Sequence, residues 1–158
     1  MAERIVINTG PLITLALIEA LEILEDLPFE FICPEEVRVE LDQGVEAGHP
    51  RVEPACVRVI SLRDRPSPIA LSALDLGEAA VIQLALEQRI PRVSIDEWKG
   101  RKAAVASGLQ VTGTLGLLGR AKLQGLIPVV RPLIEKAWEK GVRYHPELVR
   151  QVLSAVGE

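Results

Sequence analysis

The stretch Val93-Ser94-Ile95-Asp96-Glu97 places adjacent carboxylates directly after a short apolar segment. The apolar residues predict a buried strand, and a carboxylate at the end of such a strand is costly unless something cationic meets it. Asn8, Glu40 and Glu78 lie at positions that can bring further oxygen atoms to the same place. The pattern predicts a divalent-metal site on an α/β domain.

The chemistry of such a cluster is that of a hard cation. Mg²⁺ and Mn²⁺ prefer oxygen ligands in octahedral geometry and keep several water molecules. Phosphodiester hydrolysis uses these ions to activate a water molecule and to stabilise the leaving oxygen. A cluster drawn from Glu40, Glu78, Asp96 and Glu97 has side chains suited to that reaction.

Each of these acids also has a purely structural interpretation. Glu78 follows Asp75 by the spacing of a capping box, in which each side chain bonds the backbone of the other residue. Asp96 could cap the helix that follows it. Glu40 and Glu97 could be solvated helix residues, and the asparagine at position 8 could belong to a turn.

Basic side chains follow the carboxylates closely. Lys99, Arg101 and Lys102 could contact phosphate groups, or they could balance the local acidity. The segment Gly113-Thr114-Leu115-Gly116 begins a predicted helix, where backbone N–H groups can hold a phosphate. Thr114 is therefore a candidate substrate-binding residue beside the three basic ones.

We expect both tryptophans to have a structural role. Trp98 and Trp138 are expected to anchor the core or an interface, and base stacking is the less favoured role. The histidines and cysteines have no zinc-binding spacing, which argues against a zinc site.

The elements that must position these side chains alternate between strands and helices. This alternation predicts a single α/β domain, a three-layer α/β/α sandwich with a mainly parallel sheet of roughly five strands. In such sheets ligands bind outside the carboxyl ends of the strands. The predicted strands are Arg4–Ile7, Phe29–Cys33, Val57–Ser61, Arg92–Ile95 and Gln110–Thr112, and the regions 43–55 and 62–72 are predicted to be loops.

Composition restricts the class of protein further. The chain has 158 residues, of which 48% are hydrophobic, and its formal net charge is −4. Residues 1–88 carry 6 basic and 16 acidic side chains, whereas residues 89–143 carry 11 basic and 4 acidic ones. This asymmetry is compatible with a polyanion that meets one face. The sequence has no membrane-spanning pattern, and we expect a cytoplasmic protein.

At these residues the chain resembles the PIN-domain nucleases, and in particular their DUF3368 branch. The resemblance covers nearly the whole chain, and the order and spacing of its segments make it specific. The segments that carry it are Ile5–Ile13, Cys33–Leu41, Leu76–Ala80, Ile95–Glu97 with Gly100-Arg101, Val111–Gly116, and Ala121-Lys122 with Gly125–Ile127.

The resemblance implies a Mg²⁺ or Mn²⁺ site and cleavage of RNA, often by the toxin of a toxin–antitoxin pair that forms homodimers. Carried over by position, the metal-site residues are Asn8, Glu40, Glu78 and Asp96, with Glu97 beside them as a further catalytic residue. The antitoxin would be a second protein partner.

Asn8 departs from the family pattern, which usually has Asp at this position, and Gly10 departs from the common Ser or Thr. An amide oxygen can bind a cation but brings no charge. The site could still work through its remaining carboxylates, the protein could bind nucleic acid with weak or no catalysis, or the residue could have been altered to silence a toxic enzyme. A further alternative is a protein-binding module whose acidic cleft accepts an arginine or lysine from a partner.

Overall fold

The structure is a computed structural model, and it describes residues 2–158. Its centre is a parallel sheet with the strand order β3-β2-β1-β4-β5, flanked by helices on both faces, so the predicted α/β/α sandwich is confirmed. In chain order the elements are β1 (Glu3–Ile7), α1 (Thr9–Leu17), α2 (Ile23–Asp26), β2 (Phe29–Pro34), α3 (Glu35–Glu46), β3 (Val57–Ile60), α4 (Pro68–Ala73), α5 (Leu76–Gln88), β4 (Arg92–Ser94), α6 (Trp98–Ala106), β5 (Gln110–Thr112), α7 (Thr114–Leu123), α8 (Arg131–Glu139) and α9 (Pro146–Ala155).

The central strands have apolar residues on both faces because helices cover both sides of the sheet. Ile5, Val6 and Ile7 of β1 are fully buried, and so is Val93 of the neighbouring β4. Continuous apolar runs of this kind are typical of parallel strands, in contrast to the alternating pattern of half-exposed ones. Burial on both faces therefore explains why these strands could be located from the sequence.

The helix α5 crosses the sheet and is buried over most of its length. Its left-handed C-cap at Arg89 ends it before β4. Ala79 and Ile82 are buried, whereas Leu86 of the same helix is 51% exposed. Leu86 instead lines an open surface cavity together with Ile69 of α4.

Two predicted boundaries were wrong. The region 43–55 is not wholly a loop, since α3 continues to Glu46, and α4 lies inside the region predicted as the loop 62–72. The start of α4 has clear chemistry, because Ser67 Oγ accepts a hydrogen bond of 3.2 Å from the Ala70 N–H and Pro68 follows in the first turn. No helix in residues 2–158 has the length and apolarity that a membrane crossing requires.

Candidate metal centre

The candidate site lies at the carboxyl edge of the sheet. Strands β1 and β4 pair in parallel with Ile7 opposite Ser94, and the Asn8 N–H continues this ladder by donating to Ser94 O at 2.9 Å. Asn8 thus leaves β1 beside the point where β4 ends and leads into Asp96. Parallel pairing brings residues from distant parts of the chain to one edge.

Glu78 is the centre of the acidic cluster. It occupies the first turn of α5, where its N–H donates to Asp75 Oδ1 at 2.8 Å and its Oε1 accepts from the Asp75 N–H at 3.2 Å. Carboxylate oxygens of Asp75, Glu78 and Glu97 all lie within 4.8 Å of one another. Glu78 is only 3% exposed, whereas the other two are on the surface. The trio therefore combines one buried carboxylate with two solvent-facing ones.

Burial is the main reason why the pKa of Glu78 is raised to about 7, and the Asp75 and Glu97 carboxylates raise it further. The hydrogen bond from the Asp75 N–H opposes this shift. Negative groups held this close together repel one another unless a proton or a cation joins them.

Glycines make room for the carboxylates. A Cβ on Gly100 in α6 would lie 2.6 Å from Glu78 Oε2, and a Cβ on Gly77 in α5 would lie 2.7 Å from the carboxylate carbon of Glu40. Both distances are shorter than a Cβ tolerates, so the helices can approach the acids only because these positions lack a side chain.

Glu40 extends the cluster from α3. Its Oε2 accepts a hydrogen bond of 2.8 Å from Thr9 Oγ1, and its carboxylate lies over Gly77 at the start of α5. Burial raises the pKa of Glu40, the Thr9 hydrogen bond opposes the rise, and the charge of Asp75 adds to it. Glu40 therefore lies next to the trio of Asp75, Glu78 and Glu97 without being one of its members.

Asp96 is not a member of this trio, and its carboxylate is bonded to α7. Its Oδ1 accepts from the Thr114 N–H at 2.7 Å and its Oδ2 from Thr114 Oγ1 at 2.6 Å. A Cβ on Gly113 would lie 2.7 Å from Asp96 Oδ1, so the approach depends on this glycine too. Burial raises the pKa of Asp96, while the Thr114 bonds and the positive charge of Arg101 lower it.

The N-terminus of α7, predicted as a phosphate site, thus already holds an anion, the Asp96 carboxylate. Thr114 is fully buried and gives both of its donors to Asp96. Its predicted contact with substrate would require these bonds to break.

Unpartnered oxygen atoms mark the same edge of the sheet. Asn8 is 7% exposed, and its Oδ1 has no hydrogen-bond partner; the buried Oε2 of Glu78 has none either. Buried acceptors of this kind are rare in proteins and usually indicate a bound water or ion. A donor set made only of oxygens, with a buried carboxylate at its centre, fits a hard divalent cation such as Mg²⁺ or Mn²⁺.

Comparison with known proteins supports this assignment. The DUF3368 family, described as a PIN domain, matches residues 4–158. The chain belongs to this PIN-domain family. The predicted resemblance is therefore confirmed, and membership of the family indicates a nuclease of a type that generally uses divalent metals. No curated protein matches the chain.

In this PIN domain, sequence reasoning located most of the acids but not their grouping. Glu78 and Glu97 come together as expected, but the third member of the trio is Asp75, which was considered only as a helix cap. The Asp-x-x-Glu spacing was the available signal. This spacing correctly predicted the bonds between the two side chains and the backbone. It did not indicate that the same carboxylates lie close to Glu97.

The predicted basic residues of the PIN domain have different surroundings. Lys99 and Lys102 are exposed, and Lys102 Nζ lies 5.8 Å from the centroid of the Trp98 ring. Arg101 is half-buried, and its Nη1 donates to Ile95 O at 2.9 Å, which holds the guanidinium near Asp96. Trp98 is 73% exposed, so the alternative that it anchors the core is wrong.

Proposed function

We propose that the protein is a metal-dependent endoribonuclease that hydrolyses RNA phosphodiester bonds. The observation that carries the proposal is the buried Glu78 carboxylate, whose Oε2 has no partner and which lies within 4.8 Å of Asp75 and Glu97 carboxylate oxygens. Family membership indicates the nuclease chemistry, and the oxygen-only donor set indicates the class of ion.

Glu78, Asp75 and Glu97 would hold the cation, and Asn8 Oδ1 would add a neutral ligand from the end of β1. A divalent ion at this place supplies an activated water molecule and stabilises charge on the leaving oxygen. Glu40 adds negative charge next to the trio, and a hydrogen bond from Thr9 holds its carboxylate in place. Asp96 is also a proposed site residue, and its bonds to α7 would fix the position of this edge of the site.

The exposed side chains of Lys99 and Lys102 follow Glu97 within the first turns of α6. We propose that they bind the phosphates of the strand that enters the site, since backbone contacts position a nucleic acid without reading its sequence. Arg101 acts differently, because its bond to Ile95 O and its half-buried position tie it to Asp96.

The proposal includes the role of toxin in a toxin–antitoxin pair. An antitoxin protein would then cover the site, and the toxin would work as a homodimer. The apolar segment 12–23 contributes Leu12, Leu15, Ile18 and Ile23 to the monomer core, so the proposed dimer would use another surface. Light scattering on the purified protein measures whether the dimer exists.

The experiment that tests the enzyme is cleavage of a mixed-sequence RNA with Mn²⁺ and with EDTA. The natural chain is compared with Glu78→Gln and Asp96→Asn, which keep the side-chain shapes and remove a charge. We expect cleavage that requires Mn²⁺ and is lost in Glu78→Gln. Cleavage that persists in EDTA, or at full rate in Glu78→Gln, would exclude this centre.

Asn8 favours a second candidate, a nucleic-acid-binding module with weak or no catalysis. An amide at the end of β1 contributes no charge to a cation, and Asp96 is already engaged with Thr114. This candidate predicts RNA binding by the natural chain without cleavage, and cleavage that appears in Asn8→Asp. Cleavage by the natural chain at the same rate as by Asn8→Asp would remove it.

A further inference from the structure

Two cavities meet at Tyr144, on the side of the acidic site that Asp96 faces. The inner cleft has a volume of about 160 Å³ and borders Asp96, Arg101, Gly113 and Tyr144. The outer cavity has a volume of about 590 Å³ and is lined by Trp138, Arg143, Tyr144, Pro146, Val149 and Arg150. Tyr144 lines both, so the outer cavity lies on the other side of this residue from the cleft beside Asp96.

The two cavities differ in the size of the ligand that each can hold. Ligand sites in proteins usually occupy roughly 300–1,000 Å³. The outer cavity falls in this range and has room for a nucleotide, whereas the inner cleft is too small for one. The inner cleft can admit only part of a nucleotide.

The walls of the outer cavity are aromatic and aliphatic. Trp138 on α8 is 38% exposed. Tyr144 precedes α9, and Val149 is a buried residue of that helix. A partly exposed tryptophan beside a tyrosine offers a flat apolar surface of the kind on which unpaired bases stack. Such stacking tolerates any sequence because every base has a π-face.

Cationic groups stand at the rim of this cavity. Arg143 Nη1 donates to Trp138 O at 2.6 Å, which ties the guanidinium to the end of α8. No carboxylate within residues 2–158 forms an ion pair with Arg143, whereas Arg150 pairs with Glu147 on α9. Arg143 is therefore the group that remains available to a phosphate.

We propose that the outer cavity binds a nucleotide of the RNA strand next to the one at the acidic site, with its base against Trp138 and its phosphate paired to Arg143. The inference rests on the proposed function, and it assigns a binding role to Trp138, Arg143 and Tyr144 that the nuclease centre itself does not require. Tyr144, whose hydroxyl is buried, would lie between this nucleotide and Asp96.

The test measures binding of a labelled single-stranded RNA of about 12 nucleotides in EDTA, where no cleavage occurs. Trp138→Ala is expected to weaken binding roughly 5- to 100-fold, and Trp138→Phe less than about 3-fold, because phenylalanine keeps a stacking surface. Arg143→Gln is expected to lower the dependence of affinity on salt by about one phosphate contact. Leu123→Ala, which truncates another exposed apolar side chain, is the matched control and should bind as the natural chain does.

The tryptophans provide a direct readout, because the chain contains only 2 of them. In Trp98→Phe the remaining emission comes from Trp138, and RNA should quench it. Natural protein that binds or cuts RNA while Trp138→Ala binds equally well would overturn the subsite and leave the nuclease proposal intact. Natural protein that neither binds nor cuts RNA would overturn both.

Discussion

The carboxylate of Glu78 occupies the space that a side chain at Gly100 would need. A Cβ on Gly100 would lie 2.6 Å from Glu78 Oε2 and 2.8 Å from Ile95 Cγ2. The first turn of α6 therefore sets how close Glu97 comes to Glu78. The capping box of α5 sets the position of Asp75 beside Glu78.

Gly100→Ala is expected to destabilise the protein by about 1–3 kcal/mol, because both the carboxylate and Ile95 must move. It should also abolish cleavage by displacing Glu78. Gly119→Ala is the control, since a Cβ there would meet Val152 and Val156 only at 3.5 Å, and alanine favours a helix by up to about 1 kcal/mol. Urea unfolding of both variants measures the difference, and equal stability would contradict the contact.

Asn8→Asp is expected to tighten Mn²⁺ binding by roughly tenfold or more, since a charge is added to a ligand that is now a neutral oxygen. Without metal the same change should lower stability by about 1–3 kcal/mol, because a buried carboxylate joins other acids. Titration calorimetry and melting with Mn²⁺ or EDTA measure the two effects. A variant that is equally stable in EDTA and binds Mn²⁺ no better would show that Asn8 does not face the ion.

Thr114→Val removes the hydroxyl that donates to Asp96 Oδ2 at 2.6 Å and keeps the shape of the side chain. A hydrogen bond to a charged group contributes about 1.5–3 kcal/mol, and a loss of that size is expected in the free energy of unfolding. Thr112→Val is the control, because its hydroxyl makes no hydrogen bond within residues 2–158. If the two valine variants unfold alike, the Thr114 bond does not hold Asp96.

The raised pKa of Glu78 makes stability depend on pH in the absence of metal. The folded value is about 7 and the ordinary value is 4.5, so the folded protein binds the proton more tightly than the unfolded chain. The stability contributed by this proton is complete below about pH 4.5 and is lost as the pH rises to about 7, by roughly 2–3 kcal/mol. Urea unfolding in EDTA across this range should therefore show a steeper fall in the natural chain than in Glu78→Gln.

Mn²⁺ should reverse that trend, since a cation takes the place of the proton among the carboxylates. The added stability should grow with pH from about 5 to 7 and disappear in Glu78→Gln. A fall in stability that is equally steep in the two chains would assign the titration to other acids, of which Glu40 and Asp96 also have raised pKa values.

Local sequence patterns predicted much of the fold. The apolar runs Ile5–Ile7 and Val93 to Ile95 lie between turn signals, and their burial on both faces of the sheet leaves no alternation to confuse with a surface strand. The helix α5 was recognisable from its capping box and its apolar spacing. The short helix α4 was missed because Pro66 and Pro68 indicated a loop, and because its apolar residues Ile69 and Leu71 lack helical spacing.

The features of the site likewise fall into those that the sequence predicted and those that it did not. The sequence by itself predicted which oxygen-bearing side chains reach the carboxyl edge. Parallel strands and the helices that follow them bring Asn8, Glu78, Asp96 and Glu97 there. Only the tertiary structure decided that Asp96 turns to Thr114 while Asp75 joins Glu78 and Glu97. The physical reason is that side-chain direction depends on the donors and the space that other elements supply. Here these are the N-terminus of α7 and the gaps at Gly100 and Gly113, which no local pattern encodes.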